Sequence, residues 1–269
     1  MATASQQLRF RHSTIHYTRW GRGAEWLFCF HGYGEESGSF QFLEKTLEEQ
    51  YTVIAIDLPF HGDTQWQEGL SFEPAELLNI IHQIRPQGQG FHLLGYSMGG
   101  RVSLQLLQLA PAEIRSILLV APDGLHRKIW QRLATDTSMG QRIFTQLMNR
   151  PGWLLAALDG AAKLGLYNRN LLKFMHYYLD EAPQRKLLYK RWLTLRRFKP
   201  NRKLAKKIIR QNRIPVQLVF GRYDPVILTR YGTAFSKRTD GLVSLTELEA
   251  GHQLLREKYA AAIARFLVK

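Results

Sequence analysis

Short apolar runs alternate along the chain with segments whose apolar residues recur every three or four positions. Residues 8–20 alternate polar and apolar side chains, which predicts a half-exposed hairpin. The continuous apolar run at residues 26–30 is typical of a strand buried on both faces of a sheet. Further strands are predicted for the β-rich runs at residues 51–56, 91–96, 114–121, 216–220 and 242–248. Helical spacing marks residues 39–50, 73–84, 102–109, 227–235 and 253–267. This alternation predicts an α/β fold with a mostly parallel eight-stranded sheet and helices on both faces.

Residues 123–213 depart from this pattern. The segment has no clear strand, and its predicted helices follow one another at residues 138–148, 151–164, 168–179, 183–197 and 204–211. Because it is inserted between two sheet strands, we expect a helical lid over their carboxyl ends. The predicted domains are therefore a core domain of residues 1–122 and 214–269 and an inserted helical cap of residues 123–213.

One strand–turn–helix junction carries a candidate nucleophile. The run 91–96 enters a turn of small residues with Ser97 at its apex, in the pattern G-x-S-x-G. A sharp turn of this kind holds the hydroxyl clear of the backbone, where a base and a substrate can both reach it. The turn presses the residues two before and two after the serine together, so both must be nearly without side chains, as Gly95 and Gly99 are.

The supports that an acyl-transferring serine needs all have candidates after other predicted strands. His252 is the candidate base and Asp224 the carboxylate that fixes the tautomer of the base, in the chain order Ser, Asp, His. The candidate oxyanion donors are the backbone N–H of Met98, at the start of the helix after Ser97, and that of Tyr33. Parallel sheets place ligand sites at the carboxyl ends of their strands, so we expect these residues to meet.

The chain resembles the α/β-hydrolase superfamily over essentially its whole length. The motifs that carry the resemblance are HGYG (31–34), DLPFHGDT (57–64), GYSMGG (95–100), GRYDPV (221–226) and AGHQLL (250–255). The resemblance implies Ser97 as nucleophile, Asp224 as acid, His252 as base, and oxyanion donors at Tyr33 and Met98. A serine at the nucleophile position disfavours the haloalkane dehalogenase and epoxide hydrolase branches, which place an aspartate there.

Some family members carry the acid after an earlier strand, which makes Asp123 an alternative to Asp224. We favour Asp224 because GRYDPV matches the fuller motif. The other polar residues of the strand-end loops, which we interpret as structural hydrogen-bonding residues or loop anchors, are His31, Asp57, His61 and Asp63.

Three functions remain open at this point. The first is a serine hydrolase of a small carboxylic ester or related acyl compound. The second is a C–C lyase acting on an anionic substrate, because residues 96–101 resemble the MenH branch, which acts in menaquinone synthesis and also has an arginine after the elbow. Arg101 and Tyr96 are therefore possible substrate-binding residues. The third is a non-catalytic or membrane-surface binding protein on the same fold.

The formal net charge of +15 is concentrated in the insertion. Residues 124–213 hold 21 Lys and Arg against 4 Asp and Glu, out of 37 and 22 in the whole chain. We favour a solvated helix surface, with Leu188, Trp192 and Leu195 forming an apolar stripe. The alternatives are contact with anionic lipid and recognition of an acidic substrate. No groove-reading motif accompanies the charge, so we expect no nucleic-acid partner.

Composition adds expectations about location and cofactors. The one cysteine, Cys29, lies in a predicted buried strand, and neither a signal peptide nor an apolar run of about 18 residues is evident. We therefore expect a cytoplasmic protein with a small-molecule substrate. No His, Cys and Asp cluster has metal-ligand spacing, so we expect neither metal nor cofactor.

Overall fold

A computed structural model describes residues 4–126, 138–149, 152, 156, 159–160 and 179–267, and within these residues the chain forms one eight-stranded sheet. Its strands are β1 (Ala4–Phe10), β2 (Ser13–Trp20), β3 (Glu25–Phe30), β4 (Tyr51–Ile56), β5 (Phe91–Tyr96), β6 (Ile114–Val120), β7 (Val216–Gly221) and β8 (Val243–Leu248). Every predicted strand is present, including the hairpin, which β1 and β2 form. The α/β prediction is confirmed.

The helices agree with the prediction in position more than in length. The described α-helices are α1 (Glu44–Leu47), α2 (Pro74–Ile84), α3 (Met98–Leu109), α4 (Ser138–Asn149), α5 (Ala182–Thr194), α6 (Arg202–Asn212), α7 (Thr229–Ser236) and α8 (Ala260–Ala264), and 3₁₀ turns lie at Ser37–Leu43, Pro111–Glu113, Leu195–Arg197 and Glu257–Tyr259. The helix predicted over 39–50 is instead a 3₁₀ turn followed by one short α-helix. The helix predicted over 253–267 is reduced to 257–264. The helices predicted at 151–164 and 168–179 lie outside the described residues, apart from a few positions.

Strand order explains where the loops meet. The sheet runs β1-β2-β4-β3-β5-β6-β7-β8, antiparallel at β1–β2 and β2–β4 and parallel elsewhere. From β3 the chain passes to β4 on one side, and β5 lies on the other side of β3. This reversal is a topological switch point, where the loops after β3 and β5 separate and leave a crevice at the carboxyl end of the sheet.

The core lies on the two faces of the buried parallel strands. Every residue of β4 is buried, and β3 is buried except at Glu25. On one face, alternate residues such as Leu27 and Cys29 join a cluster that includes Phe40, Leu47 and Ile263. Burial of each large apolar side chain contributes about 1.5–3 kcal/mol. On the other face α3 packs on β5, and both α2 and α6 pack on α3.

The chain divides into two compact units. The first comprises residues 1–126 and 197–269, and the second comprises residues 127–196. Helix α6, which lies within the predicted cap of residues 123–213, belongs to the first unit and packs on α3. The physical reason is its amphipathic pattern, in which Ala205, Ile208 and Ile209 are buried while the charged residues are exposed.

Within the second unit, α4 and α5 pack against each other. Met148 and Leu179 are buried there, and Leu188 and Trp192 of the predicted apolar stripe pack against them. Arg185 donates hydrogen bonds to the carbonyl oxygens of Leu179, Asp180 and Met148, at 2.5, 2.6 and 3.1 Å. At least this cation of the basic segment has a structural role. None of the described helices has the length and apolar character needed to cross a bilayer.

Candidate active site

The nucleophile candidate lies at the switch point of the sheet. Phe30 of β3 pairs with Gly95 of β5, so the loop after β3 and the turn containing Ser97 leave the sheet side by side. Ser97 has φ 47° and ψ −111°, a conformation that costs a residue with a side chain about 1–3 kcal/mol. The surroundings hold it there. Its N–H donates to Val120 O at 2.9 Å, and its carbonyl accepts from the N–H of Gly100 at 2.9 Å and of Asp123 at 2.8 Å.

Close backbone contacts explain the two glycines of the turn. A Cβ on Gly95 would lie 2.4 Å from the carbonyl oxygen of Gly99, and one on Gly99 would lie 1.8 Å from that of Phe30. Both distances are far inside van der Waals contact, and the atoms met are backbone atoms that cannot rotate away. The prediction that these two positions must lack side chains is confirmed.

Ser97, His252 and Asp224 form one hydrogen-bonded chain. The Nε2 atom of His252 lies 3.1 Å from Ser97 Oγ, and its Nδ1 lies 2.7 Å from Asp224 Oδ2. A carboxylate can only accept, so Nδ1 carries the proton and Nε2 is left as the acceptor for the Ser97 hydroxyl. Residues 155 and 28 positions apart in sequence are thus brought together because β5, β7 and β8 end at the same edge of the sheet.

The backbone around Asp224 holds its carboxylate in place. The side chain is fully buried, and its other oxygen, Oδ1, accepts hydrogen bonds from the N–H groups of Val226 at 2.7 Å and Ile227 at 3.0 Å. The alternative acid, Asp123, is placed differently. Its Oδ1 accepts from the N–H of Gly124 at 2.7 Å, and its Oδ2 lies 3.6 Å from Arg101 Nε. The structure therefore brings Asp224, and not Asp123, to the imidazole.

The two predicted oxyanion donors lie on either side of the switch point. Met98 is the first residue of α3, and the first N–H groups of a helix have no acceptor within the helix. Tyr33 lies in the loop directly after β3, with its ring edge-on to that of His61 at 6.0 Å between centroids. The two predicted donors thus lie at the start of α3 and in the loop after β3, the two segments that leave the sheet beside each other at the switch point.

The two predicted substrate-binding residues make internal contacts. Tyr96 is buried, and its hydroxyl donates to the carbonyl oxygen of His252 at 3.0 Å. Arg101 lies beside Asp123, and Gly124 packs over its Cβ. Tyr96 thus binds the backbone of His252, the predicted base, and Arg101 has the carboxylate of Asp123 as a neighbour. Neither contact supports the predicted binding role.

Glu35, in the loop after β3, is a titratable residue of this region that was not among the predicted site residues. Its Oε2 accepts from the N–H of Gly32 at 3.3 Å, and the charge of His252 acts on it. Burial raises its pKa above the ordinary value, and the Gly32 N–H and the His252 charge oppose that rise. An acidic residue in a loop after a buried strand was the available signal.

The residues interpreted as structural make structural contacts. Asp57 Oδ1 accepts from the N–H of Ser37 at 2.5 Å, and Oδ2 accepts from the N–H of Asp63 at 3.0 Å and lies 2.6 Å from His16 Nδ1. His31 Nε2 accepts from the N–H of Leu58 at 3.1 Å. Among the described residues, no three His, Cys, Asp or Glu side chains are grouped to hold a metal ion.

Known proteins share this sequence pattern and fold. A dihydrolipoyllysine-residue acetyltransferase component of the acetoin cleaving system of Cupriavidus necator is 34% identical over 113 residues, which are 41% of this chain and only 30% of that protein. A pimeloyl-acyl-carrier-protein methyl ester esterase of Methylococcus capsulatus is 27% identical over 241 residues, 86% of this chain and 89% of the relative. The solved thioesterase domain from the curacin biosynthetic pathway superposes with a TM-score of 0.65 at 18% identity, over 100% of both chains.

The family assignment follows from the length of the match as well as from the geometry. The family model described as the alpha/beta hydrolase fold matches residues 25–257, which include β3 through the loop of His252. Hydrolase and esterase relatives accompany this match. The chain belongs to the alpha/beta hydrolase fold family.

Proposed function

We propose that the protein is a serine hydrolase that cleaves a small carboxylic ester or a related acyl compound through an acyl-enzyme. The observation that carries the proposal is the hydrogen-bonded chain from Ser97 Oγ through the His252 imidazole to Asp224. An ester is the favoured class because esterases are among the relatives, one of them matched over 86% of this chain.

The first half of the reaction transfers the acyl group to the protein. His252 Nε2 takes the proton of Ser97 Oγ as Oγ attacks the carbonyl carbon, and Asp224 stabilises the resulting imidazolium. The carbonyl oxygen becomes an oxyanion, which the N–H groups of Met98 and Tyr33 stabilise; one such donor is worth about 3–4 kcal/mol. The tetrahedral intermediate collapses as His252 returns the proton to the leaving alcohol.

The second half repeats these steps with water. His252 Nε2 takes a proton from water, the hydroxide attacks the acyl carbon, and the collapse of the second intermediate breaks the bond to Ser97 Oγ. The proton on His252 then returns to Oγ, so the acid is released and the protein is unchanged. The protein's own part of these transfers is the exchange between Ser97 Oγ and His252 Nε2, which lie within hydrogen-bond reach at 3.1 Å.

Arg101 was the residue that favoured the lyase alternative. A free guanidinium beside the nucleophile could bind a substrate carboxylate, but Arg101 Nε lies 3.6 Å from Asp123 Oδ2. Its charge is thus at least partly balanced inside the protein. We therefore place ester hydrolysis first.

A fluorophosphonate probe followed by peptide mass spectrometry tests the nucleophile. We expect one adduct, on Ser97, in the unaltered protein, none in the Ser97→Ala variant, and turnover reduced about 10³-fold or more in that variant. Ser103→Ala is the matched control, because Ser103 lies on the same helix and its hydroxyl is bonded to Gly99 O at 3.0 Å. It should label as the unaltered protein does. Folded protein without an adduct on Ser97 contradicts the proposal.

A series of p-nitrophenyl esters from acetate to palmitate then tests the substrate class. We expect the highest kcat/KM with short acyl chains, because the proposal is a small ester. A maximum at palmitate would refute the size assignment while leaving the nucleophile assignment intact.

A further inference from the structure

A second carboxylate lies near the proposed catalytic base. Glu35 follows Tyr33 by two residues in the loop after β3, and its side chain is half-buried. Its Oε2 accepts a hydrogen bond from the N–H of Gly32 at 3.3 Å. The carboxylate therefore binds the backbone immediately before Tyr33, the residue proposed to supply an oxyanion donor.

Close packing connects this carboxylate to the imidazole. A Cβ on Gly32 would lie 2.9 Å from Cε1 of Tyr96 and 3.2 Å from Oε2 of Glu35, so the carboxylate and the tyrosine ring pack against the same glycine. The Tyr96 ring centroid lies 5.6 Å from that of His252, and its hydroxyl donates to the His252 carbonyl oxygen at 3.0 Å. The Glu35 carboxylate and the His252 imidazole are thus both neighbours of the Tyr96 ring.

Other charged or titratable groups also act at this place. Among the described residues they are Asp224, bonded to Nδ1 of the imidazole, the buried hydroxyl of Tyr96, and the Arg256 guanidinium. Burial raises the pKa of Tyr96, as do the charges of Glu35 and Asp224, and Arg256 acts in the opposite direction. Tyr96 therefore stays neutral over the working range, and the two carboxylates are the negative groups that favour an imidazolium.

We propose that Glu35 is a positioning residue for the hydrolysis proposed above. Its carboxylate fixes the Gly32 end of the oxyanion loop and, together with Asp224, stabilises the imidazolium that forms when His252 takes the Ser97 proton. This inference rests on the proposed function. Glu35 would act on the reaction through its charge and its bond to Gly32, and not through a hydrogen bond to Ser97 or His252.

The charge of Glu35 has a definite sign of effect on the pH profile. An ionised carboxylate favours the protonated imidazole, so its removal lets His252 lose its proton at a lower pH. At an effective dielectric constant between that of a protein surface and that of water, the loss of one nearby charge shifts the midpoint by about 0.5 unit. The acid limb of kcat/KM should move to lower pH by the same amount, because it reports the free enzyme.

Three variants separate the charge from the hydrogen bond. Glu35→Gln keeps an oxygen that can accept from Gly32 N–H and removes only the charge. Glu35→Ala removes both. Glu36→Gln is the matched control, because Glu36 is the next residue and its side chain is exposed.

The experiment measures the NMR titration of the His252 ring in the unaltered protein and in each variant, alongside kcat and kcat/KM against pH. We expect Glu35→Gln to move the His252 midpoint and the acid limb down by about 0.5 unit and to lower kcat about three- to tenfold. Glu35→Ala should show the same shift and a further loss of kcat. Glu36→Gln should leave all three quantities unchanged.

The NMR readout keeps the two proposals distinguishable. If Ser97 is not labelled and no ester is cleaved, the proposed function fails, whatever the titration shows. If hydrolysis proceeds through Ser97 but the His252 midpoint in Glu35→Gln stays within about 0.1 unit of the Glu36→Gln value, the role of Glu35 is refuted. A shift of equal size in both variants also refutes it, because the effect would then be one of general surface charge.

Discussion

Replacing Asp224 by asparagine changes one oxygen to an NH₂ group and should nearly abolish turnover. The Oδ1 site accepts hydrogen bonds from the N–H groups of Val226 and Ile227 at 2.7 and 3.0 Å. The amide oxygen of the asparagine must therefore occupy that site, which turns its NH₂ group towards His252 Nδ1. The ring then accepts at Nδ1 and carries its proton on Nε2, where it cannot take the proton of Ser97.

The size of the loss follows from the cost of the alternative. Turning the amide over would restore the productive tautomer but would leave the two N–H groups facing an NH₂ group, beside a side chain that is fully buried. Each donor left without an acceptor there costs about 1–3 kcal/mol, or about 4 kcal/mol for the pair. The productive tautomer is then populated at about one part in 10³, since each 1.36 kcal/mol is a factor of ten. We expect kcat to fall about 10³- to 10⁴-fold, in line with the known effect of a wrong tautomer in such triads.

The assay is kcat on a p-nitrophenyl ester, with folding checked by circular dichroism and thermal unfolding. Asp123→Asn is the control, because the Asp123 carboxylate lies beside Gly124 and Arg101 and makes no contact with the imidazole in the described residues. It should retain kcat within about threefold, the range of a surface ion pair. The role of Asp224 is refuted if folded Asp224→Asn keeps more than a tenth of the kcat of the unaltered protein, or if Asp123→Asn loses as much as Asp224→Asn.

Three further expectations concern the scaffold. Gly99→Ala should prevent stable folding or lower the free energy of unfolding by more than about 4 kcal/mol, because its Cβ would lie 1.8 Å from Phe30 O. Gly160→Ala is the control: its Cβ would meet nothing within 4 Å, so chemical denaturation should show no change or a slight gain in stability. Asp57→Ala leaves the hydrogen-bond partners of the buried carboxylate without an acceptor, so the free energy of unfolding should fall by about 3–5 kcal/mol and Tm by about 10 °C. A change below about 1 kcal/mol contradicts the anchoring role. Burial raises the pKa of the Cys29 thiol far above its usual range, so a thiol reagent should modify it only after unfolding; rapid labelling of native protein would refute its burial.

The sheet could be predicted because its strands carry their own signal. A parallel strand covered on both faces is mostly apolar, as β3 and β4 are, and its short length separates it from a helix. The order of the strands in the sheet carries no such local signal. The positions of Ser97, Asp224 and His252 could still be expected to meet, because every parallel strand ends at the same edge.

Helix ends were predicted less well because tertiary contacts decide them. The spacing of Phe40, Leu43 and Leu47 is compatible with a continuous α-helix over 39–50, and these residues are buried as expected. The N–H of Ser37, however, donates to the Asp57 carboxylate, which fixes where the chain enters the segment. A 3₁₀ turn results there, and no periodicity within the segment indicates it.

The roles of Tyr96, Arg101 and Glu35 could not be predicted for a related reason. Tyr96 bonds to a carbonyl 156 residues away, and Arg101 pairs with a carboxylate that only the return of the chain through β6 brings near it. A motif indicates that a residue follows the nucleophile, but not which way its side chain turns. Whether such a side chain binds a substrate or makes an internal contact depends on which groups the folded chain brings near it. Tyr96 has such a group in the His252 carbonyl and Arg101 in the Asp123 carboxylate, and neither contact can be read from the motif itself.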